Sequence, residues 1–347
     1  MNVIRTTTLA IGASLIGSSL FMVLAKLDVQ SSIALVMGVV FLLHGTGFLQ
    51  EYIVRKFLRW YRTKKPVIGI VNDLAWPENG GYGWSRSRMN PKEWHSKVND
   101  IIKRSQINAK AKIIKIVKPW TRWFLDRYLV VINPYGSVYP EIDMENQTIM
   151  RLILHYVRCG GMFVNVADIP LSFPYDSKRK IMYSAFTLDV HLYKQLAWQL
   201  RQVRYDQDVI ETSPPYLYVE TPFLKAVKVN IVATEVRKFN SIAKQTEISP
   251  MFASLELNNS NLILENVVIH RGIVCDSHVK SIVKELEWER EWERIRFTPL
   301  CYIHFGKGKF LVSLIFLEHN ENQMVRGGIT NLLCDLVIKE VKDVLRN

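Results

Sequence analysis

Tyr156-Val157-Arg158-Cys159-Gly160-Gly161-Met162-Phe163-Val164-Asn165-Val166-Ala167-Asp168 is the stretch on which the fold turns. Its first residues close an amphipathic helical pattern over 144–158, and the paired glycines stop it. Residues 162–166 then read as a short, fully buried strand, and Ala167-Asp168 returns the chain to polar sequence. A helix, a glycine break and a doubly buried strand make one half of a βαβ unit.

Working outward, the same alternation repeats. Val67-Ile68-Gly69-Ile70-Val71 follows Pro66 as a strand, and residues 91–107 have helical spacing, with Trp94, Val98, Ile101 and Ile102 on one face. Residues 111–117 and 128–132 are further apolar strands. Strands apolar throughout, interleaved with helices, predict an α/β fold, flavodoxin-like, with a parallel sheet covered by helices on both faces. Past it, residues 169–226 read as an insertion rich in aromatics, with a helix near 192–203. Residues 227–232 and 262–270 are strand candidates. Residues 281–296 read as a charged helix in which Glu-Trp-Glu-Arg occurs twice, setting Trp288 and Trp292 one turn apart. Residues 300–305 and 310–316 flank Gly306-Lys307-Gly308-Lys309 as a hairpin, and a helix over 327–345 closes the chain.

The chain has 347 residues, 48% of them apolar and 22% charged, which excludes a disordered or collagen-like polymer. Its four cysteines, Cys159, Cys275, Cys301 and Cys334, are far apart with no CxxC pair. Neither a disulfide scaffold nor a structural zinc site is expected, and buried reduced thiols are the plain reading. No metal site and no cofactor are expected: histidines are isolated, and there is no P-loop and no GxGxxG after a strand.

Residues 6–25 and 30–50 contain no charge, and each is about as long as the roughly 20 residues a helix needs to cross a bilayer. With four residues between them, they predict a two-helix transmembrane hairpin over 1–50, embedded in the lipid bilayer through 6–50. A cleaved signal peptide ending at Val23-Leu24-Ala25 is the competing reading. Arg55, Lys56, Arg59, Arg62, Lys64 and Lys65 follow as a basic juxtamembrane segment over 51–65. By the positive-inside rule the expectation is a multi-pass protein of the inner (plasma) membrane with residues 66–347 cytoplasmic. The net charge of +13 has a source in the run of basic residues up to Arg127. Contact with an anionic lipid surface is preferred over nucleic acid as its explanation.

In an open parallel sheet, ligands bind outside the carboxyl ends of the strands. Those ends carry Asn72-Asp73, Trp76 and the loop with Tyr82 and Trp84 after the first strand; Asn133-Pro134-Tyr135-Gly136-Ser137 and Tyr139 after the third; and Asn165 to Asp168 after the fourth. Here the chain resembles the class I glutamine amidotransferase-like superfamily, near its trehalose-utilisation-type branch. Residues 132–137 resemble that family's oxyanion loop, and residues 156–164 its helix, Gly-Gly and strand before the nucleophile elbow. Residues 305–310 are similar to its late hairpin, and Leu317-Glu318-His319 falls where the family has a His–x–Glu pair. The resemblance implies a cysteine at the elbow, where backbone N–H groups stabilise the oxyanion. The matching residue is Ala167, and Glu318-His319 reverses the family's order. Glutaminase chemistry is therefore not expected.

Two function classes follow. The favoured one is a non-catalytic domain at the inner membrane face that binds a small molecule or a protein partner. Its ligand-binding candidates are Asn72, Trp76, Tyr82, Trp84, Asn133, Tyr135, Gly136, Tyr139 and Asn165. The other is a hydrolase of a carbohydrate or amide, in which Asp73, Asp168, Glu318 and His319 supply the acid and base. Against both stands the ordinary role of Asx residues, capping turns and helices.

Overall fold

The structure is a computed structural model. It describes residues 16, 33, 36–42, 55–73, 89–117, 124–143, 146–176, 181–182, 211–212, 221–233, 236–240, 245–249, 251–258, 262–290, 293–317 and 323–346. The chain divides into two units, Met1–Lys64 and Lys65–Asn347.

In the first unit the longest described element is α1 (Arg55–Lys64), a ten-residue helix with no acidic residue. Its Phe57 ring lies 5.9 Å from Trp60 and 6.3 Å from Tyr61. Among the described residues no helix is long and apolar enough to cross a membrane. This corrects the expectations of a transmembrane hairpin and of a multi-pass inner-membrane protein with a cytoplasmic domain. An uncharged run satisfies the length rule for a span without itself establishing a helix of that length. Most of 6–50 lies outside the described residues.

The second unit is built on one seven-stranded sheet. Its strands are β1 (Val67–Val71), β2 (Lys110–Ile114), β3 (Val130–Asn133), β4 (Met162–Asn165), β5 (Val279–Ser281), β6 (Leu300–Phe305) and β7 (Gly308–Ser313), in the order β5-β6-β7-β4-β3-β1-β2. From β2 to β7 every neighbouring pair is parallel. The β6–β7 and β5–β6 pairs are antiparallel. Side chains alternate across the sheet. Ile68 and Ile70 of β1 face α2 (Pro91–Arg104) and α5 (Gln323–Arg346), with Trp94, Val98, Leu333 and Val337 among their neighbours. Val71 and Val131 lie on the other face, in a cluster with Ile149 and Ile153 of α3 (Thr148–Arg158) and Phe223 of α4 (Pro222–Val227).

Local signals set several of these boundaries. Asn90 and Glu93 form a reciprocal capping box, and Pro91 opens α2. At the end of α3 the Tyr156 hydroxyl lies 2.9 Å from Leu129 O, and its ring fills the space a Cβ on Gly161 would take. The Gly-Gly break therefore brings helix and strand together closely. In the turn from β6 to β7, Gly306 has φ 66°.

The sheet is mixed, and four smaller sheets accompany it among the described residues, so a simple parallel sheet with helices on both faces is corrected as well. One of the smaller sheets holds the strands Leu286–Arg290 and Glu293–Thr298 where a helix was expected. Antiparallel pairing sets Glu287 opposite Arg296, Glu289 opposite Arg294 and Arg290 opposite Glu293. The tandem repeat alternates with period two as well as period four, and an ion pair of 3.0 Å between Arg296 and Glu287 links the two strands. Trp288 stands in the first of these strands, while Trp292 and the helix near 192–203 lie outside the described residues.

Candidate functional site

The carboxyl ends of β1, β3, β4 and β7 lie on one edge of the sheet, because these strands are parallel. At the end of β1, the Asp73 carboxylate accepts the backbone N–H groups of Ile116 (2.5 Å) and Val117 (3.3 Å). It thereby fastens the chain leaving β2 to the chain leaving β1. Neighbouring Asn72 accepts a hydrogen bond from the Tyr135 hydroxyl at 3.3 Å.

The ends of β3 and β4 are joined by a fully buried amide network. Asn133 Oδ1 accepts from Tyr135 N–H at 3.2 Å, a local Asx turn. Its Nδ2 is within donating reach of Gly136 O (2.9 Å), Val138 O (3.0 Å) and Asn165 Oδ1 (3.2 Å). Asn165 Nδ2 in turn reaches Ala167 O (3.0 Å) and Asp168 O (2.8 Å). Gly136 has φ 68°, and a Cβ there would stand 2.6 Å from Ala167 O. Glycine at 136 thus lets the two strand-end loops touch.

Asp168 adopts φ 62°, a region that Asp tolerates better than most residues. Its carboxylate accepts from Arg271 Nη1 at 2.6 Å, with side-chain exposures of 2% and 26% respectively. The guanidinium also sits 5.7 Å over the ring of Phe316, just past β7, and His270 stacks on that ring with centroids 4.8 Å apart. Arg271, His270 and Phe316 thus complete this edge, and none was expected from the sequence. Arg271 lies 103 positions from Asp168, so no local pattern could link them.

The strand-end segments 72–73, 133–136 and 165–168 therefore meet at one edge, whereas the two described rings of the aromatic set are not open to solvent there. Tyr135 and Tyr139 are buried in the core, and burial pushes the Tyr139 hydroxyl well above its ordinary pKa, with Glu141 adding to the effect. Trp76, Tyr82, Trp84, Glu318 and His319 lie outside the described residues. Glu141, another buried carboxyl, accepts the N–H groups of Ile142 and Ile149 (2.9 and 3.0 Å) and so serves the start of α3.

No nucleophile elbow forms. After β4 the chain turns through 166–172 into a second strand, Phe173–Asp176, not into a helix, and Ala167 is fully buried in that turn. Cys159 caps the end of α3, at the opposite end of β4, with its Sγ 3.4 Å from His155 Nε2. Burial pushes the Cys334 thiol up to about 12, and burial with the nearby Glu285 does the same for Cys275. Among the described residues no group of three or more His, Cys, Asp or Glu could hold a metal ion. The exposed Lys110, Lys112 and Lys115 lie on or next to β2, the strand at one edge of the sheet. Lysines there discourage strand addition by another chain, a role that needs no nucleic acid or lipid.

No family model and no curated protein matches this chain. Among solved structures it is similar to a β-galactosidase from Bacillus circulans sp. alkalophilus, at 11% identity and a TM-score of 0.36, over 80% of this chain and 30% of that one. It is also similar to a cold-adapted β-galactosidase from Rahnella sp. R3, at 10% identity and 0.35, over 78% and 31%. An exo-β-1,4-mannosidase from an Opitutaceae bacterium, strain TAV5, matches at 9% and 0.35, over 84% and 38%. The chain thus spans well under half the length of each. All three are carbohydrate hydrolases, and the amidotransferase-like label finds no support among them. At these TM-scores the likeness says nothing about this chain's reaction.

Proposed function

We propose that the second unit is a non-catalytic binding module whose ligand or protein partner engages the carboxyl edge of the parallel strands. One observation carries this reading: both described carboxylates offered for acid–base work are held in structural roles. Asp73 receives two backbone N–H groups, and Asp168 is paired with Arg271 while nearly inaccessible to water. A general acid or base must reach the proton it transfers, and these oxygens instead hold the strand ends in place. The partly exposed polar groups of Asn72 and Arg271 then remain as the edge's recognition elements.

Hydrolysis of a carbohydrate or amide through Asp73, Asp168, Glu318 or His319 is the competing reading, and it supplies the test. Wild-type protein, Asp73→Asn and Asp168→Asn are assayed on aryl glycosides and aryl amides, and each is melted in parallel. The non-catalytic reading expects no turnover above background in any of the three, and a fall in melting temperature of several degrees in both variants. Wild-type turnover that either variant abolishes without a change in melting temperature would refute it.

A further inference from the structure

We infer that α1 is an interfacial helix that lies flat on an anionic phospholipid surface. Phe57, Trp60, Tyr61 and Lys64 are spaced i, i+3, i+4 and i+7, which puts them on one face of the helix. That face is exposed: Phe57 is 55% exposed, Trp60 56% and Tyr61 39%, and their rings lean on one another. Three large aromatic side chains presented together to water are costly in a molecule that leaves them there. Lys56 and Lys64 are exposed at the margins of the ridge, and the helix itself carries no acidic residue.

The occupant follows from this combination. Trp and Tyr favour the headgroup level, where an apolar ring body meets a polar tip, and lysines reach outward from that level to phosphate. A phospholipid surface of negative charge satisfies the rings and the ammonium groups together. The ten described residues make about 15 Å of helix, half the roughly 30 Å of a hydrocarbon core, a length suited to lying in the interface.

The test uses the full chain labelled with 5-fluorotryptophan. The Trp60 resonance is assigned by its loss in Trp60→Phe, and the fully buried Trp94 of the second unit serves as the internal control. Vesicles of phosphatidylcholine with 30% phosphatidylglycerol carry a nitroxide at carbon 5 of the acyl chain. The Trp60 line is expected to broaden severalfold with these vesicles while the Trp94 line does not. In the paired variant Lys56→Gln/Lys64→Gln, the lipid needed for half-broadening is expected to rise at least tenfold. A Trp60 line indifferent to the nitroxide overturns the proposal. So does a line that moves only with an added oligonucleotide, or only with protein concentration in lipid-free buffer, which would assign the ridge to nucleic acid or to a second copy of the chain.

Discussion

Replacing Arg271 by methionine keeps most of the aliphatic stem and removes the charge facing Asp168. The two groups meet through one charge-assisted hydrogen bond of 2.6 Å, with 2% of the Asp168 side chain exposed. With roughly 4 Å between charge centres and an effective dielectric of about 20, the gross attraction is about 4 kcal/mol. Desolvation offsets part of it, and the 26% exposure of Arg271 lets water screen the rest. A net coupling of about 2 kcal/mol remains, within the range for hydrogen bonds to charged groups. The assay is a double-mutant cycle in urea: wild type, Arg271→Met, Asp168→Asn and the double variant. Arg271→Met is expected to cost about 2–3 kcal/mol in wild type, and clearly less once Asp168 is already Asn. A cost that is the same in both backgrounds would show that the pair does not hold the β4 turn in place. The structural role assigned to Asp168 would then fall, and with it the main support for a non-catalytic edge.

Two further outcomes follow from the same edge. Gly136→Ala adds a Cβ 2.6 Å from Ala167 O at φ 68°, so a loss of about 2–3 kcal/mol in urea unfolding is expected, and a loss below 0.5 kcal/mol would contradict the close approach of the two loops. Burial raises the Glu141 pKa above 4.5, against the pull of its amide partners. The folded state therefore holds that proton more tightly than the unfolded state does, and Glu141 contributes stability below pH 4.5 that is lost as pH rises through the folded value. Relative to Glu141→Gln, wild type should lose stability across that rise, measured as urea midpoints from pH 4 to 8. A wild-type advantage that grows with pH would refute it.

Much of the framework was legible in the sequence because it rests on short-range physics. Residues 67–71 and 300–305 form strands over the expected residues, since short runs rich in apolar and aromatic residues, bounded by Pro66 and by Gly306, leave few alternatives. Pro91 starts its helix as expected, and Gly160-Gly161 ends the preceding one. The duplicated Glu-Trp-Glu-Arg suits a strand as well as a helix because it alternates with period two as well as four, and only the antiparallel pairing of 286–290 with 293–297 decides between them. The uncharged runs before residue 50 met the hydropathy rule for a span, yet among the described residues no helix meets it.

The candidate site divides along the same line. The sequence by itself determined which residues stand at the strand ends, because a strand's last residue and the polar turn after it are neighbours in the chain. Asn72, Asp73, Asn133, Asn165 and Asp168 were all found that way. What those side chains do was decided only by tertiary structure. Asp73 meets amides more than 40 residues away, Asn133 meets Asn165 across β3 and β4, and Asp168 meets a guanidinium 103 positions on. A hydrogen bond or an ion pair acts over about 3 Å, and proximity on that scale between distant residues is set by the packing of the sheet, not by any pattern along the chain.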